Sequence, residues 1–159
     1  MLKSKRTLSL LLAVCAIISC ISVTAFATEP EEELSFQLVD SAIVLVEDDS
    51  PSLIRANTNL TFNSLAKGYY KQSTSTYYIN AGTDKLYVSS LTWTPTGQNV
   101  SVVLVNVQTG KTYAVEYSGG SISGKTISTS SLTSGEYYVG VANYDGPNAV
   151  SGTLAYDFT

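Results

Sequence analysis

The chain has 159 residues, a formal net charge of −4 and a hydrophobic fraction of 44%, and it contains no histidine. The lack of histidine excludes histidine-based catalytic triads and histidine metal ligands. The acidic balance disfavours nucleic acid as a partner, because a negative surface repels phosphate backbones.

The N-terminus has the three parts of a secretory signal peptide. Three of its first six residues are basic, residues 7–23 are uncharged and mostly apolar, and Ala25-Phe26-Ala27 presents small residues at the two positions that a signal peptidase reads. We therefore predict that residues 1–27 are a cleaved signal peptide. The mature protein is then secreted and has no membrane span.

Two alternatives stay open for this segment. Its uncharged stretch is long enough for a retained membrane anchor. Ile17-Ile18-Ser19-Cys20 also resembles a lipobox, in which Cys20 is lipidated and anchors the protein.

The composition of the mature chain follows from cleavage. Cys15 and Cys20 both lie in the signal peptide, so the chain from Thr28 onward has no disulfide and no cysteine chemistry. It keeps six basic residues against 13 acidic ones, a net charge of −7. Its 132 residues suffice for one domain whose core must hold the fold unaided.

Residues 28–56 read as an acidic leader. A charged head, rich in glutamate, is followed by an apolar stretch in which Leu34, Phe36 and Leu38 alternate with polar residues. This pattern predicts one or two strands. The run Glu47-Asp48-Asp49-Ser50-Pro51 then predicts a loop or linker.

Residues 57–159 have the period-two alternation of a β domain. Residues 100–107 are apolar on both faces, which predicts a strand covered on both sides. Thr109-Gly110 predicts a hairpin turn, and Tyr137, Val139 and Val141 share one face of the clearest strand. We predict an all-β fold, an antiparallel β-sandwich of about seven to nine strands with jelly-roll or Greek-key connections.

Four motifs in residues 57–159 carry a family resemblance. They are a strand ending in Ala-Gly, an alternating strand that leads to a turn glycine, a Gly-x-Tyr-Tyr-x-x-Val strand and a closing Gly-x-Leu-x-Tyr strand. Here they fall at Ala81-Gly82, Val103–Gly110, Gly135 with Tyr137, Tyr138 and Val141, and Gly152 with Leu154 and Tyr156. The segment resembles the bacterial pre-peptidase C-terminal-like domains, and also small secreted proteins of Firmicutes with the same layout. The resemblance implies a β-sandwich and supplies no catalytic residues.

No catalytic residues are predicted. Paired carboxylates are the chemistry that a glycosidase needs. The acidic residues within the sandwich all fall on the apparent solvent face of a strand or in a turn, where an outward charge serves solubility. They are Glu116, Glu136, Asp145 and Asp157.

Calcium is the one metal that the sequence suggests. Asn143, Asp145 and Asn148 place oxygen donors in one turn, and calcium accepts such ligands. The same residue types are also the ordinary residues of turns. No cofactor is otherwise expected.

Carbohydrate binding is the most specific function that the composition favours. The chain has 11 tyrosines and one tryptophan, and aromatic rings are the platforms on which sugar rings stack. Trp93 precedes a Pro-Gly turn, and three tyrosines fall in apparent loops: Tyr69, Tyr70 and Tyr144. These four residues are the predicted ligand-binding set, although a tryptophan in a sandwich more often fills the core.

The sequence thus favours a secreted, non-enzymatic binding module that recognises a glycan or a cell-surface protein. A structural or assembly component of the cell surface, which associates through exposed sheet edges, is the alternative. An accessory domain of a hydrolase is a third interpretation.

Overall fold

Alternating apolar and polar residues build strands throughout the described part of the chain. The computed structural model describes residues 34–40, 44–45 and 59–159, and these residues contain no helix. They form ten strands: β1 (Gln37–Val39), β2 (Val44–Leu45), β3 (Asn59–Leu65), β4 (Tyr69–Ile79), β5 (Lys85–Thr94), β6 (Val100–Asn106), β7 (Thr112–Tyr117), β8 (Ser121–Ser128), β9 (Gly135–Asn143) and β10 (Val150–Phe158). The predicted signal peptide and both cysteines lie outside the described residues.

The strands form two sheets. The larger has the order β1-β7-β6-β9-β4-β2 and the smaller the order β3-β10-β5-β8. Every pairing between the named strands is antiparallel except that of the two-residue β2 with β4. Without β2, sheets of five and four strands remain. The predicted all-β, antiparallel sandwich is therefore confirmed.

The connections cross repeatedly between the sheets. Strands β6 and β7 form a hairpin within the larger sheet, with Gly110 at a φ of 68° in its turn. Every other connection from β3 to β10 passes from one sheet to the other, as in Greek-key sandwiches. Gly110 is suited to the turn because residues with a side chain rarely adopt a positive φ.

The inner faces of the two sheets meet in one hydrophobic core. From the larger sheet it receives Val102, Leu104 and Tyr137, and from the smaller sheet Leu91 and Leu154, all fully buried. Burial of each such side chain contributes about 1.5–3 kcal/mol.

Strands β6 and β9 are buried on both faces. Val102 and Leu104 belong to the inner core, while Val103 and Val105 belong to a second cluster on the opposite side. The prediction of a doubly covered strand is confirmed for β6, whose seven residues are all buried.

Part of the predicted leader belongs to the sandwich. Phe36 is fully buried in the inner core, and Gln37 pairs with Ala114 of β7. Ser35 forms a bridge with Ser128, at the end of β8. All described residues fall in one unit, residues 33–159, so the strand predicted around Phe36 is an edge strand of the larger sheet.

The larger sheet is curled. Its opposite edges are β1 and β2, which a flat sheet would hold about 24 Å apart at ~4.8 Å per neighbouring pair of strands. The five chain steps from Val39 to Val44 reach at most about 18 Å. The edges therefore approach each other.

Candidate functional site

The outer face of the larger sheet is apolar at its centre. The strand register places Val103 beside Ala114 on one side and Gly140 on the other. In the next row, Ser101 lies between Glu116 and Ala142. Val103 and Ala142 are fully buried, so this face is not the solvated outer face that an antiparallel sandwich usually has.

The side chains in the middle of this face are small, and tyrosines pack against them. Tyr70, Tyr138 and Tyr144 pack against the buried cluster, together with Val39 from the edge strand. Gly140 is required at its position, because a Cβ there would lie 2.6 Å from the carbonyl oxygen of Lys71 and 2.9 Å from Val103. Tyrosine side chains therefore cover the middle of this face.

A cavity of about 430 Å³ lies at one end of this face. Edge strand β1 lines it with Gln37 and Val39, and strands β6 and β7 line it with Ser101, Ala114 and Glu116. We call this cavity the outer groove. Its floor is apolar or small, and its rim carries an amide, a hydroxyl and a carboxylate.

The far wall of the outer groove comes from the segment after β9. Tyr144 and Asp145 line the groove opposite β1. Asp145 is exposed, as is Glu116, whereas Tyr144 is half-buried.

The Tyr144 hydroxyl is buried and has no hydrogen-bond partner. Burial, with a smaller contribution from the neighbouring Tyr70, raises the pKa of Tyr144 to about 12. Burial likewise raises the pKa of Tyr70 above its ordinary value. Both phenols are therefore neutral at physiological pH, and that of Tyr144 can donate one hydrogen bond and accept others.

Asn143 fixes the segment that carries Tyr144. Its Nδ2 donates to the carbonyl oxygens of Leu65 and Asn148, at 3.0 Å each, and its Oδ1 accepts from the backbone N–H of Gly146 at 3.0 Å. The side chain is fully buried. Three backbone groups thus hold the turn in place.

These bonds bear on the predicted calcium ligands. The side-chain oxygen of Asn143 already accepts a bond within the turn, and Asp145 and Asn148 are exposed. Among the described residues, no group of three or more acidic or cysteine side chains is placed to hold a metal ion. The turn geometry accounts for the Asn and Gly residues, and calcium binding stays a prediction.

Trp93 is a core residue, which corrects the expectation of an exposed aromatic platform. It is 3% exposed, and its indole N–H donates to the carbonyl oxygen of Gln98 at 2.7 Å. The residue alternates inward on β5, so its ring packs between the sheets and leaves no face for a sugar. Gln98 in turn accepts a bond from the backbone N–H of Asn148 through its side-chain oxygen, at 3.3 Å. Trp93 thus supports the turn beside the outer groove.

The other three predicted ligand residues differ in their positions relative to the outer groove. Tyr144 lines the outer groove, and Tyr70 packs beside it in the same cluster. Tyr69 is 40% exposed. Tyr69 and Tyr70 begin strand β4 rather than lying in a loop.

The sequence did not predict that strand β1 contributes residues to this site. Gln37 and Val39 reach the outer groove because β1 pairs with β7, far along the chain. The only local signal was the alternation around Phe36, which indicated a strand without naming its neighbour.

Fold and site together define a two-sheet antiparallel sandwich with a groove on the outer face of its larger sheet. No family model, curated protein or solved structure matches the chain. The likeness to pre-peptidase C-terminal-like domains therefore stays a resemblance. In the described part of the chain, no helix has the length and apolar character to cross a membrane.

Proposed function

We propose that the protein is an exported, non-enzymatic binding module that recognises a glycan in the outer groove. Its volume of about 430 Å³ falls within the range of ~300–1,000 Å³ that is usual for small-molecule sites. The apolar floor suits the C–H face of a sugar ring, while Gln37, Ser101 and Glu116 offer hydrogen-bonding groups to its hydroxyls.

The unpartnered hydroxyl of Tyr144 carries the proposal. A buried hydroxyl without a hydrogen bond costs about 1–3 kcal/mol, and most such groups in folded proteins have a partner. Tyr144 lines the groove. Its hydroxyl is shielded from solvent, so a sugar hydroxyl would supply the missing bond once the Tyr144 side chain turns toward the groove.

Glycoside hydrolysis is a second candidate, because the outer groove contains two carboxylates, Glu116 and Asp145. In most glycosidases one carboxyl of the pair stays protonated at neutral pH, which enzymes achieve by burying it. Both residues here are exposed, which favours binding without hydrolysis. Release of reducing sugar from bound oligosaccharides by the wild type, and its loss in Glu116→Gln, would establish the enzyme instead.

Assembly through sheet edges has weaker support among the described strands. Edge strands β1 and β2 have three and two residues. Edge strand β3 contains Ser64 at a φ of 48°, and edge strand β8 contains Gly124 at a φ of 63°. Short and irregular edges are those that resist pairing with a second copy.

The test is a glycan array probed with the mature protein, followed by titration of the best ligand against matched variants. We expect Tyr144→Phe to weaken binding at least about fivefold, the loss of one hydrogen bond, without lowering the melting temperature. Its control is Tyr78→Phe, the same change at a tyrosine that is 65% exposed on the same sheet. The control should bind as the wild type does.

Gln37→Ala tests the opposite wall of the groove in the same titration. It should also weaken binding, since its amide lines the cavity. The proposal fails if no glycan binds above background, or if one binds equally well to Tyr144→Phe and Gln37→Ala.

A further inference from the structure

Among the described residues, the charged side chains that line the outer groove are both acidic. They are Glu116 from β7 and Asp145 from the segment after β9. Glu116 follows Ala114 on the outward face of β7, so its carboxylate stands at the edge of the apolar floor. The groove therefore presents negative charge to whatever enters it.

We propose that the ligand of the outer groove is a glycan with a free amino group, that is, an amino sugar that is not N-acetylated. This inference rests on the proposed glycan-binding function and adds the chemical class of the sugar. A protonated amine has three N–H donors and no acceptor. It therefore suits a groove whose lining side chains offer hydrogen-bond acceptors.

The acceptors lie on both sides of the cavity. Glu116 and Asp145 offer carboxylate oxygens, and Gln37 offers an amide oxygen. Hydrogen bonds between an ammonium group and a carboxylate are stronger than those between neutral groups. An uncharged acetamide lacks the attraction between opposite charges that an ammonium group has with a carboxylate, and a uronic acid is repelled.

The net charge of the chain also favours a cationic ligand. The chain has 13 acidic residues against nine basic ones, so its field attracts cationic ligands and repels anionic ones. The apolar floor of Val39 and Ala114 would take the C–H face of the sugar ring. The two carboxylates would then select the amino group.

The experiment compares three oligosaccharides of equal length by calorimetric titration: a glucosamine oligomer, its fully N-acetylated counterpart and an oligogalacturonate. We expect the glucosamine oligomer to bind about tenfold more tightly than the acetylated one, a preference that salt weakens. The oligogalacturonate should not bind.

Matched variants locate the preference. Glu116→Gln and Asp145→Asn should each reduce the ratio of the affinity for the glucosamine oligomer to the affinity for the acetylated oligomer. Glu136→Gln is the control, since Glu136 is an exposed carboxylate of β9 outside the groove; it should retain the full preference.

The outcomes separate this inference from the proposed function. Equal affinity for the acetylated and amino oligomers, or a preference that survives in both carboxylate variants, overturns the amino-sugar assignment and leaves glycan binding standing. If neither these three ligands nor any glycan on the array binds, both proposals fail.

Discussion

The outer faces of the two sheets differ although both follow from strand alternation. On the smaller sheet, four exposed hydroxyl residues form one row across the strands: Thr61, Thr153, Thr92 and Ser121. On the larger sheet, the middle of a comparable row is Ala114, Val103 and Gly140, all buried.

The difference shows that the outer face of the smaller sheet is exposed to water and that the outer face of the larger sheet is covered. Thr92 and Thr153 hydrogen-bond to each other at 3.2 Å and remain exposed, as expected for the solvated face of an antiparallel sheet. Val103 sits in a second apolar cluster under tyrosines. This aromatic outer face contains the groove to which we assign ligand binding.

The largest expected effect comes from placing a charge on each face. Val103→Asp should lower the free energy of unfolding by more than about 3 kcal/mol, because an unpaired carboxylate would be buried. Thr92→Asp, on the exposed face, should cost less than about 1 kcal/mol. Urea denaturation of both variants measures the contrast, and equal losses would mean that the two faces do not differ as described.

The turn beside the groove gives the next largest effect. Asn143→Asp keeps the shape of the side chain but cannot donate to the carbonyl oxygens of Leu65 and Asn148, so we expect a loss of about 2–3 kcal/mol. The wild type, measured in calcium and in a chelator, tests the predicted calcium site separately. Equal stability in the two conditions would count against calcium binding by this turn, and stabilisation of the wild type by calcium would support it.

A smaller effect is expected at Gly140. Gly140→Ala should cost about 1–3 kcal/mol, because the new methyl group would meet the backbone of β4 and Val103. Gly97→Ala is the matched control: a Cβ there has no atom within 4 Å, and the change should be neutral. A tolerated Gly140→Ala would show that the centre of the larger sheet is looser than described.

Alkaline pH gives the smallest effect, one that is absent at neutral pH. Burial raises the pKa of Tyr117 and of Tyr144 from 10.0 to about 12. Between these values the unfolded chain releases protons that the folded chain retains, so stability is complete below about pH 10 and falls as pH rises toward 12.

Urea midpoints across this range measure the tyrosine contribution. Tyr117→Phe and Tyr144→Phe should each make the fall of the urea midpoint with pH shallower than in the wild type. Each variant keeps all the other titrating groups of the wild type. A wild-type midpoint that stays constant up to pH 12 would contradict the burial of these hydroxyls.

Most of the fold could be predicted from local alternation. A period of two predicts that Tyr137, Val139 and Val141 all face the inner core. It also predicts that residues 100–105 are buried on both faces of the sheet. The hairpin at Gly110 follows from turn chemistry. These features depend only on neighbours in sequence.

The site could be predicted only in part, because it depends on distant pairing. Tyr144, one of the predicted ligand residues, lines the groove, whereas Trp93, another of them, is buried in the core. A turn-flanking tryptophan gives no sign of which side of its strand faces the second sheet. Gln37 joins the groove only through the register of β1 with β7, which no local pattern encodes.

The most direct test of the account is a map of where ligand contacts the protein. Backbone amide spectra of the ¹⁵N-labelled mature protein, titrated with the glucosamine oligomer, should shift at Gln37, Glu116 and Tyr144 and stay constant at Thr92 and Thr153. Shifts confined to the hydroxyl face of the smaller sheet, or no shifts at all, would contradict it.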